Sequence, residues 1–147
     1  MVLNRCPTKD RLLQWGLQTD GLCVLCRGYT ESRNHLYFEC SYTWNLWTMV
    51  ADRCGFTPSQ SWDATLTALR QYSGTRQRKK LLLLCWQATI YLLWVERNNR
   101  IHRNQFRPFS ATFRDLDRLV RNRIATYRFT NPAESSELLT IWFSSRS

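Results

Sequence analysis

Residues 23–40 read CVLCRGYTESRNHLYFEC and carry four soft metal donors in the pattern C-x2-C-x8-H-x4-C: Cys23, Cys26, His35 and Cys40. Three thiolates and one imidazole complete the tetrahedral shell of a structural zinc ion. The short gap between the first two cysteines lets both sulfurs reach one metal from a tight turn, and Gly28 follows where a turn favours glycine. The pattern therefore predicts one Zn2+ per chain, in a closed site without an open position for catalysis.

The alternative interpretation is a set of ordinary buried cysteines with a surface histidine. A second pair at metal-ligand spacing favours zinc over that alternative. The other cysteines are scattered, and Cys54 and Cys85 are most simply small hydrophobic core residues. The first thirty residues do not resemble a signal peptide, so we expect an intracellular protein, nuclear or cytoplasmic and not secreted, with reduced thiols.

Hydrophobic periodicity and capping residues predict a mainly α fold, with the metal loop, residues 17–40, inserted between helices. Helices are expected from Thr8, Ser41 and Ser61 as caps, from 76 to 104, and from 108–110 to a stop at Pro132. We predict a zinc-binding module over 1–56 and a helical basic region over 57–131 that packs on it. The tail, 132–147, contains one short apolar run that can dock as a helix or strand.

The longest predicted helix is apolar on nearly every side between Leu81 and Val95. Such a helix is either buried in a core or exposed to lipid. Fifteen residues are fewer than the roughly twenty that span a bilayer. We therefore expect a helical domain built around this helix and no membrane partner.

Positive charge is concentrated in the second half of the chain. The net charge is +10, and residues 75–128 contain thirteen basic and three acidic side chains, whereas residues 1–74 are nearly neutral. This block predicts a polyanionic partner, RNA or DNA, held mainly through phosphate. The predicted contacts are Lys79, Lys80, Arg97, Arg100, Arg103, Arg114, Arg118, Arg121 and Arg128.

Four of these arginines, from Arg114 to Arg128, share one face of a helix, as contacts to a phosphate backbone require. Asp115 and Asp117 can pair with them, so a merely solvated basic face remains an alternative. In the metal loop, Tyr29 and Tyr37 are predicted to stack on unpaired bases. Phe38 is predicted to lie beneath the metal site instead.

Catalytic constellations are not apparent in the sequence. His35 belongs to the metal pattern, and His102 has no evident acid or nucleophile beside it. No glycine-rich phosphate loop occurs, and no two aspartates are adjacent. We therefore predict a chain without polymerase or nuclease activity.

Three blocks of the sequence together resemble a known family. The first is NRCPTKDRL at 4–12 followed by Trp15-Gly16, and the second joins the four metal donors to Trp44 and Trp47. The third is WVERNNRI at 94–101. Over residues 4–102 the chain resembles the zinc-binding region that lies downstream of the polymerase in plant non-LTR (LINE-type) retrotransposon reverse transcriptases.

The resemblance implies zinc at the same four residues and a role in holding template or target nucleic acid beside a polymerase. It also makes a reverse transcriptase or other retroelement proteins possible partners. The family's domain usually begins with an aromatic-rich helix upstream of residue 4, which has no counterpart here. The paired catalytic aspartates of the family's polymerase domain also have no counterpart. Two other functions stay open: a zinc-stabilised protein-interaction or structural module, and a non-functional retroelement relic.

Overall fold

The structure, a computed structural model, describes residues 6–144. Asn4 and Arg5, which open the first resemblance block, lie outside the described residues. The elements in chain order are α1 (Lys9–Gln14), a π-turn (His35–Glu39), α2 (Ser41–Cys54), α3 (Trp62–Arg70), α4 (Arg76–Arg103), α5 (Phe109–Thr126), a 3₁₀ turn (Tyr127–Phe129) and α6 (Pro132–Ser144). Residues 6–144 form no β-strand, only an isolated antiparallel bridge between Leu22 and Thr30. The mainly α prediction is confirmed.

Local capping explains several helix ends. The hydroxyl of Ser61 accepts from the Ala64 amide at 3.3 Å, and that of Thr75 accepts from Arg78 at 3.2 Å. Gly55 ends α2 in the left-handed conformation, with φ 64°.

Three sequence predictions about helix ends need correction. Ser41 is the first residue of α2, and the residue before the helix is Cys40. Thr8 precedes α1, but its hydroxyl donates to the Asp10 carboxylate and caps no backbone amide. Pro132 begins α6, because proline suits the first helical turn, where its missing N–H is not needed. The C-terminal apolar run is therefore helical.

The core surrounds α4, which contacts α2, α3, α5 and α6. Trp47 from α2, Leu93 from α4 and Trp142 from α6 are each no more than 1% exposed. Residues from all three predicted segments thus share one core, and the division of the chain into segments stays a prediction. Cys54 and Cys85 are fully buried, as expected of small hydrophobic residues. Within residues 6–144, α4 and the other helices are too short or too polar to cross a membrane.

Asp117 on α5 joins three helices. Its Oδ1 accepts from the Trp142 indole nitrogen at 2.8 Å and lies 3.4 Å from Nη1 of Arg53. The Arg53 guanidinium also lies over the rings of Phe113 and Trp142. These interactions attach the C-terminal helix α6 to α2 and α5.

Candidate metal centre

Cys23 and Cys26 lie in a tight hairpin turn. The Cys23 amide donates to the Tyr29 carbonyl at 2.9 Å, and the Arg27 amide donates to the Cys23 carbonyl at 2.7 Å. The Gly28 amide lies 3.5 Å from Sγ of Cys26. The left-handed residue of the turn is Arg27, with φ 55°, and not the expected Gly28. Sequence alone identified the turn but not the residue that adopts its left-handed backbone.

His35 and Cys40 face the same point because a π-turn separates them. The Cys40 amide donates to the His35 carbonyl at 2.8 Å, a bond from residue i+5 to residue i. The wider turn brings two residues five positions apart to one side of the backbone. Cys40 then precedes the first turn of α2, where the amide groups and the helix dipole stabilise a thiolate.

The four predicted ligands converge, with all four donor atoms within 4.8 Å of one another. Sγ of Cys26 lies 3.2 Å from Nε2 of His35, and Sγ of Cys23 lies 4.0 Å from Sγ of Cys40. Tetrahedral zinc with ordinary bond lengths needs about 3.6 Å between sulfur and nitrogen and about 3.8 Å between sulfurs. The arrangement, here called the Cys3His cluster, therefore fits a zinc ion. No other such group of three or more ligand side chains occurs in residues 6–144.

Burial and hydrogen bonding set the protonation of the cluster. A hydrogen bond to Cys40, together with burial, raises the pKa of Cys23 well above its usual range. The same hydrogen bond lowers the pKa of Cys40. Burial lowers the pKa of His35, which favours the neutral imidazole that a metal requires. A bound metal would thus displace the proton that Cys23 otherwise holds.

Two charged side chains outside the cluster support it, and the sequence did not identify either role. Nδ1 of His35 lies 4.0 Å from a carboxylate oxygen of Glu39, on the side of the ring away from Cys26. Nη1 of Arg100, on α4, donates to the carbonyls of Val24 and Leu25 at 3.2 and 3.1 Å. These two carbonyls lie between Cys23 and Cys26, so Arg100 holds the turn that presents both thiols. The i,i+4 spacing of His35 and Glu39 was the one visible signal.

Arg97 connects α4 to the metal loop through Glu31. Its Nε lies 3.0 Å from both carboxylate oxygens, and Nη2 lies 2.8 Å from Oε1. Glu31 is 0% and Arg97 4% exposed. The same carboxylate accepts from the Lys9 amide at 2.8 Å, so the start of α1 shares the contact.

The predicted phosphate contacts divide into two groups. Arg97 is buried on Glu31, and the Arg100 side chain is 9% exposed and bonded to Glu96 and to loop carbonyls. We correct these two assignments, because their guanidinium groups are occupied inside the protein. Lys80 is bonded to Glu134 at 2.9 Å, and Lys79 is half-buried. The predicted phosphate contacts that are exposed to solvent are Arg103, Arg114, Arg118, Arg121 and Arg128.

The exposed arginines on α5 are partly neutralised, as the sequence indicated. Arg118 lies 3.0 Å from Asp115, and Arg121 lies 3.1 Å from Asp117. Surface pairs of this kind are weak and open to competition from a phosphate.

The three aromatic residues of the metal loop differ in burial. Tyr29 is 71% exposed, as stacking on a base would require. Tyr37 is buried and packs on Trp62 with ring centroids 5.6 Å apart, so its predicted stacking role is wrong. Phe38 is buried against the same ring at 5.8 Å, and its place beneath the cluster stays a prediction. Tyr29 precedes the polar stretch 30–34 and the other two follow it, and the three-dimensional packing shows which of them are buried.

Comparison with known families gives one match. The profile of a family described as zinc-binding in reverse transcriptase matches residues 1–47, which include all four cluster residues. This match supports a zinc-binding domain of the kind associated with reverse transcriptases, and the matched description is not that of a catalytic polymerase domain. Comparisons with curated proteins and with solved structures gave no match.

Proposed function

We propose that the chain is a non-catalytic domain that uses one structural Zn2+ to order its metal loop and binds nucleic acid through its basic helices. The Cys3His cluster carries the first part of this proposal. Cys23, Cys26, His35 and Cys40 would hold the ion, and its coordination shell would then be full. When bound, zinc supplies a cross-link between the hairpin turn and the π-turn. It activates no water, because four protein ligands leave no position for one.

The charge distribution supports the second part. The excess of positive charge lies between residues 75 and 128, and five of the arginines predicted to bind phosphate there are solvent-exposed. The exposed arginines of α5 recur at three- and four-residue steps along one face, which suits a run of phosphates. We propose binding that is mainly electrostatic and weakly selective for sequence, with RNA or DNA as partner.

We further propose that the domain derives from a non-LTR retroelement of the plant type. The WVERNNRI block, 94–101, lies outside the matched residues 1–47. Within it, Arg97 and Arg100 bind the metal loop through Glu31 and through the carbonyls of Val24 and Leu25. The dependence of the loop on this block supports one domain that extends beyond the matched residues, as the resemblance implies. A reverse transcriptase encoded by such an element is then a possible partner.

A salt titration tests nucleic-acid binding. The zinc-loaded protein is titrated with single-stranded RNA, single-stranded DNA and duplex DNA across a series of salt concentrations. Replacing Arg114, Arg118 and Arg121 with Gln should lower the slope of log affinity against log salt by about 0.7–0.9 for each phosphate that the variant no longer neutralises. The matched control is Arg70→Gln, an exposed arginine at the end of α3. Absence of salt-dependent binding by the unmodified protein would contradict the proposal.

A protein-interaction module is the second candidate, and two separate apolar surfaces favour it. Helix α1 buries none of its residues, and Leu13, Trp15 and Leu17 are about half exposed. A cleft between α4 and α5, of about 280 Å³, is lined by Tyr91 and Leu119 among other side chains. Apolar surface of this kind often marks a partner site. The salt titration separates the two candidates, because a module of this second type need not bind nucleic acid.

A further inference from the structure

An aromatic side chain on the surface, next to the metal loop, lies near two arginines. Phe106, in the connection between α4 and α5, is 48% exposed. The Arg27 guanidinium lies 5.9 Å from its ring centroid, and that of Arg100 lies 5.2 Å away. Arg27 belongs to the turn that follows Cys26, so the cluster and Phe106 border the same surface.

The backbone on both sides of this contact is unusual. Among residues 6–144, the non-glycine residues with positive φ are Arg27, at 55°, and Asn104, at 53°. For Arg27 this conformation costs energy, and such residues concentrate at functional sites, whereas a left-handed asparagine commonly ends a helix. Asn104 turns the chain at the end of α4, two residues before Phe106. The two left-handed positions thus occur in the two segments that bring Arg27 and Phe106 together.

The segment that carries Phe106 is firmly anchored. The Arg107 amide donates to Oε1 of Glu96 at 2.8 Å. The Arg107 carbonyl accepts from Nη2 of Arg100 at 2.9 Å and from the Tyr42 hydroxyl at 3.0 Å. An anchored backbone with an exposed ring is preorganised, so little conformational entropy is lost when a planar ligand binds.

We propose that Phe106, flanked by Arg27, is a stacking site for an unpaired base of a single-stranded nucleic acid. This inference rests on the proposed function and adds a class of substrate to it. The ring face stacks on one base, and the exposed Arg27 guanidinium binds the adjacent phosphate. Base pairs inside a duplex are covered on both faces by their neighbours and present no free base face to this site. RNA and DNA both offer unpaired bases and phosphates, and the test compares oligonucleotides of both kinds to show which one binds.

The test uses full-length, zinc-loaded protein and oligonucleotides that carry 2-aminopurine, whose fluorescence falls on stacking. Phe106→Ala should weaken single-strand binding by about five- to one-hundredfold and abolish the quenching, with duplex binding and the salt slope unchanged. Phe106→Trp should retain both the single-strand affinity and the quenching, because tryptophan also offers a ring face. Phe129→Ala is the matched control, because Phe129 is 91% exposed on the 3₁₀ turn. Arg27→Gly suits the left-handed backbone and should lower the salt slope by about 0.7.

Zinc content and circular dichroism of each variant show whether the fold is retained. Equal single-strand binding by the Phe106→Ala variant and the unmodified protein would overturn the inference and leave the proposed function intact. An equal weakening of single-strand and duplex binding would also overturn it, because the ring would then act on the structure and not on a base. If the unmodified protein binds no nucleic acid at any salt concentration, the proposed function is wrong, and the inference that rests on it is wrong as well.

Discussion

Arg97 on α4 binds Glu31 of the metal loop side-on, with Nε 3.0 Å from each carboxylate oxygen. Both side chains are removed from water, and 66 residues of sequence separate them. The pair is a second attachment of the metal loop to the central helix, besides the metal. Loop position therefore depends on two features, the Cys3His cluster and this ion pair.

We expect Glu31→Gln to destabilise the protein by about 3–5 kcal/mol, because it leaves the Arg97 charge buried without its partner. Denaturant unfolding at fixed zinc concentration measures the change. The matched control is Asp115→Asn, which removes a carboxylate from exposed pairs with Arg107 and Arg118 and should cost less than about 1 kcal/mol. Equal destabilisation of the two variants would contradict a dominant role for the buried pair.

The long-range pair also shows what the sequence could and could not predict. Ligand spacing is a local property, so Cys23, Cys26, His35 and Cys40 could be recognised from the pattern. The caps at Ser61 and Thr75 are local too, although only Ser61 was identified. Burial of Arg97 depends on a partner that only the fold brings near. A charge count treats a buried and an exposed arginine alike, and it therefore assigned Arg97 to the surface.

The backbone geometry of the turn is a second feature that could not be predicted from the sequence. A turn near Gly28 was predicted because turns favour glycine, yet Arg27 adopts the left-handed conformation and Gly28 does not. The hydrogen bonds from the Cys23 amide to Tyr29 and from the Arg27 amide to Cys23 fix this geometry. Composition reports which residues tolerate a conformation, whereas the hydrogen bonds of the whole turn decide which residue adopts it.

Removal of zinc should disorder the metal loop and leave the central helix folded. The loop has few internal backbone hydrogen bonds, whereas α4 is packed against four other helices. Limited proteolysis after chelation, read by mass spectrometry, should find cleavage within residues 17–40 and protection of 81–95. Restoring Zn2+ should restore protection of the loop. Cleavage that starts in α4 would show that the fold as a whole depends on the metal.

Zinc affinity should rise with pH. Because its pKa is raised, Cys23 keeps its proton in the metal-free protein and must release it on binding. Each proton released changes the apparent affinity by about tenfold per pH unit. His35, whose pKa is lowered by burial, is neutral at pH 7 and should compete for protons only in more acidic solution. Competition with a chelator between pH 6 and pH 8 measures this slope, and a flat profile would mean that all three thiols are already ionised.

Glu39 should act on the metal through His35. Replacing it with Gln removes the charge 4.0 Å from Nδ1, and we expect zinc affinity to fall by at most about tenfold, since the carboxylate is half exposed. The control is Glu137→Gln on α6, an exposed glutamate outside the metal loop. Nuclear magnetic resonance of the His35 ring should report a changed Nδ1 environment in the first variant alone. An unchanged ring signal in the Glu39→Gln variant would show that Glu39 does not act on His35.

The π-turn between His35 and Cys40 makes the length of this segment more important than its composition. Removing one residue from a helical turn rotates everything that follows by about 100° and shifts it by about 1.5 Å. Because α2 begins at Ser41, directly after Cys40, a deletion between the two ligands must displace either the thiol or the whole of α2. Substitutions at positions 36–39 leave this register intact. Insertions and deletions here should therefore be far rarer among functional variants of the domain than changes of side chain.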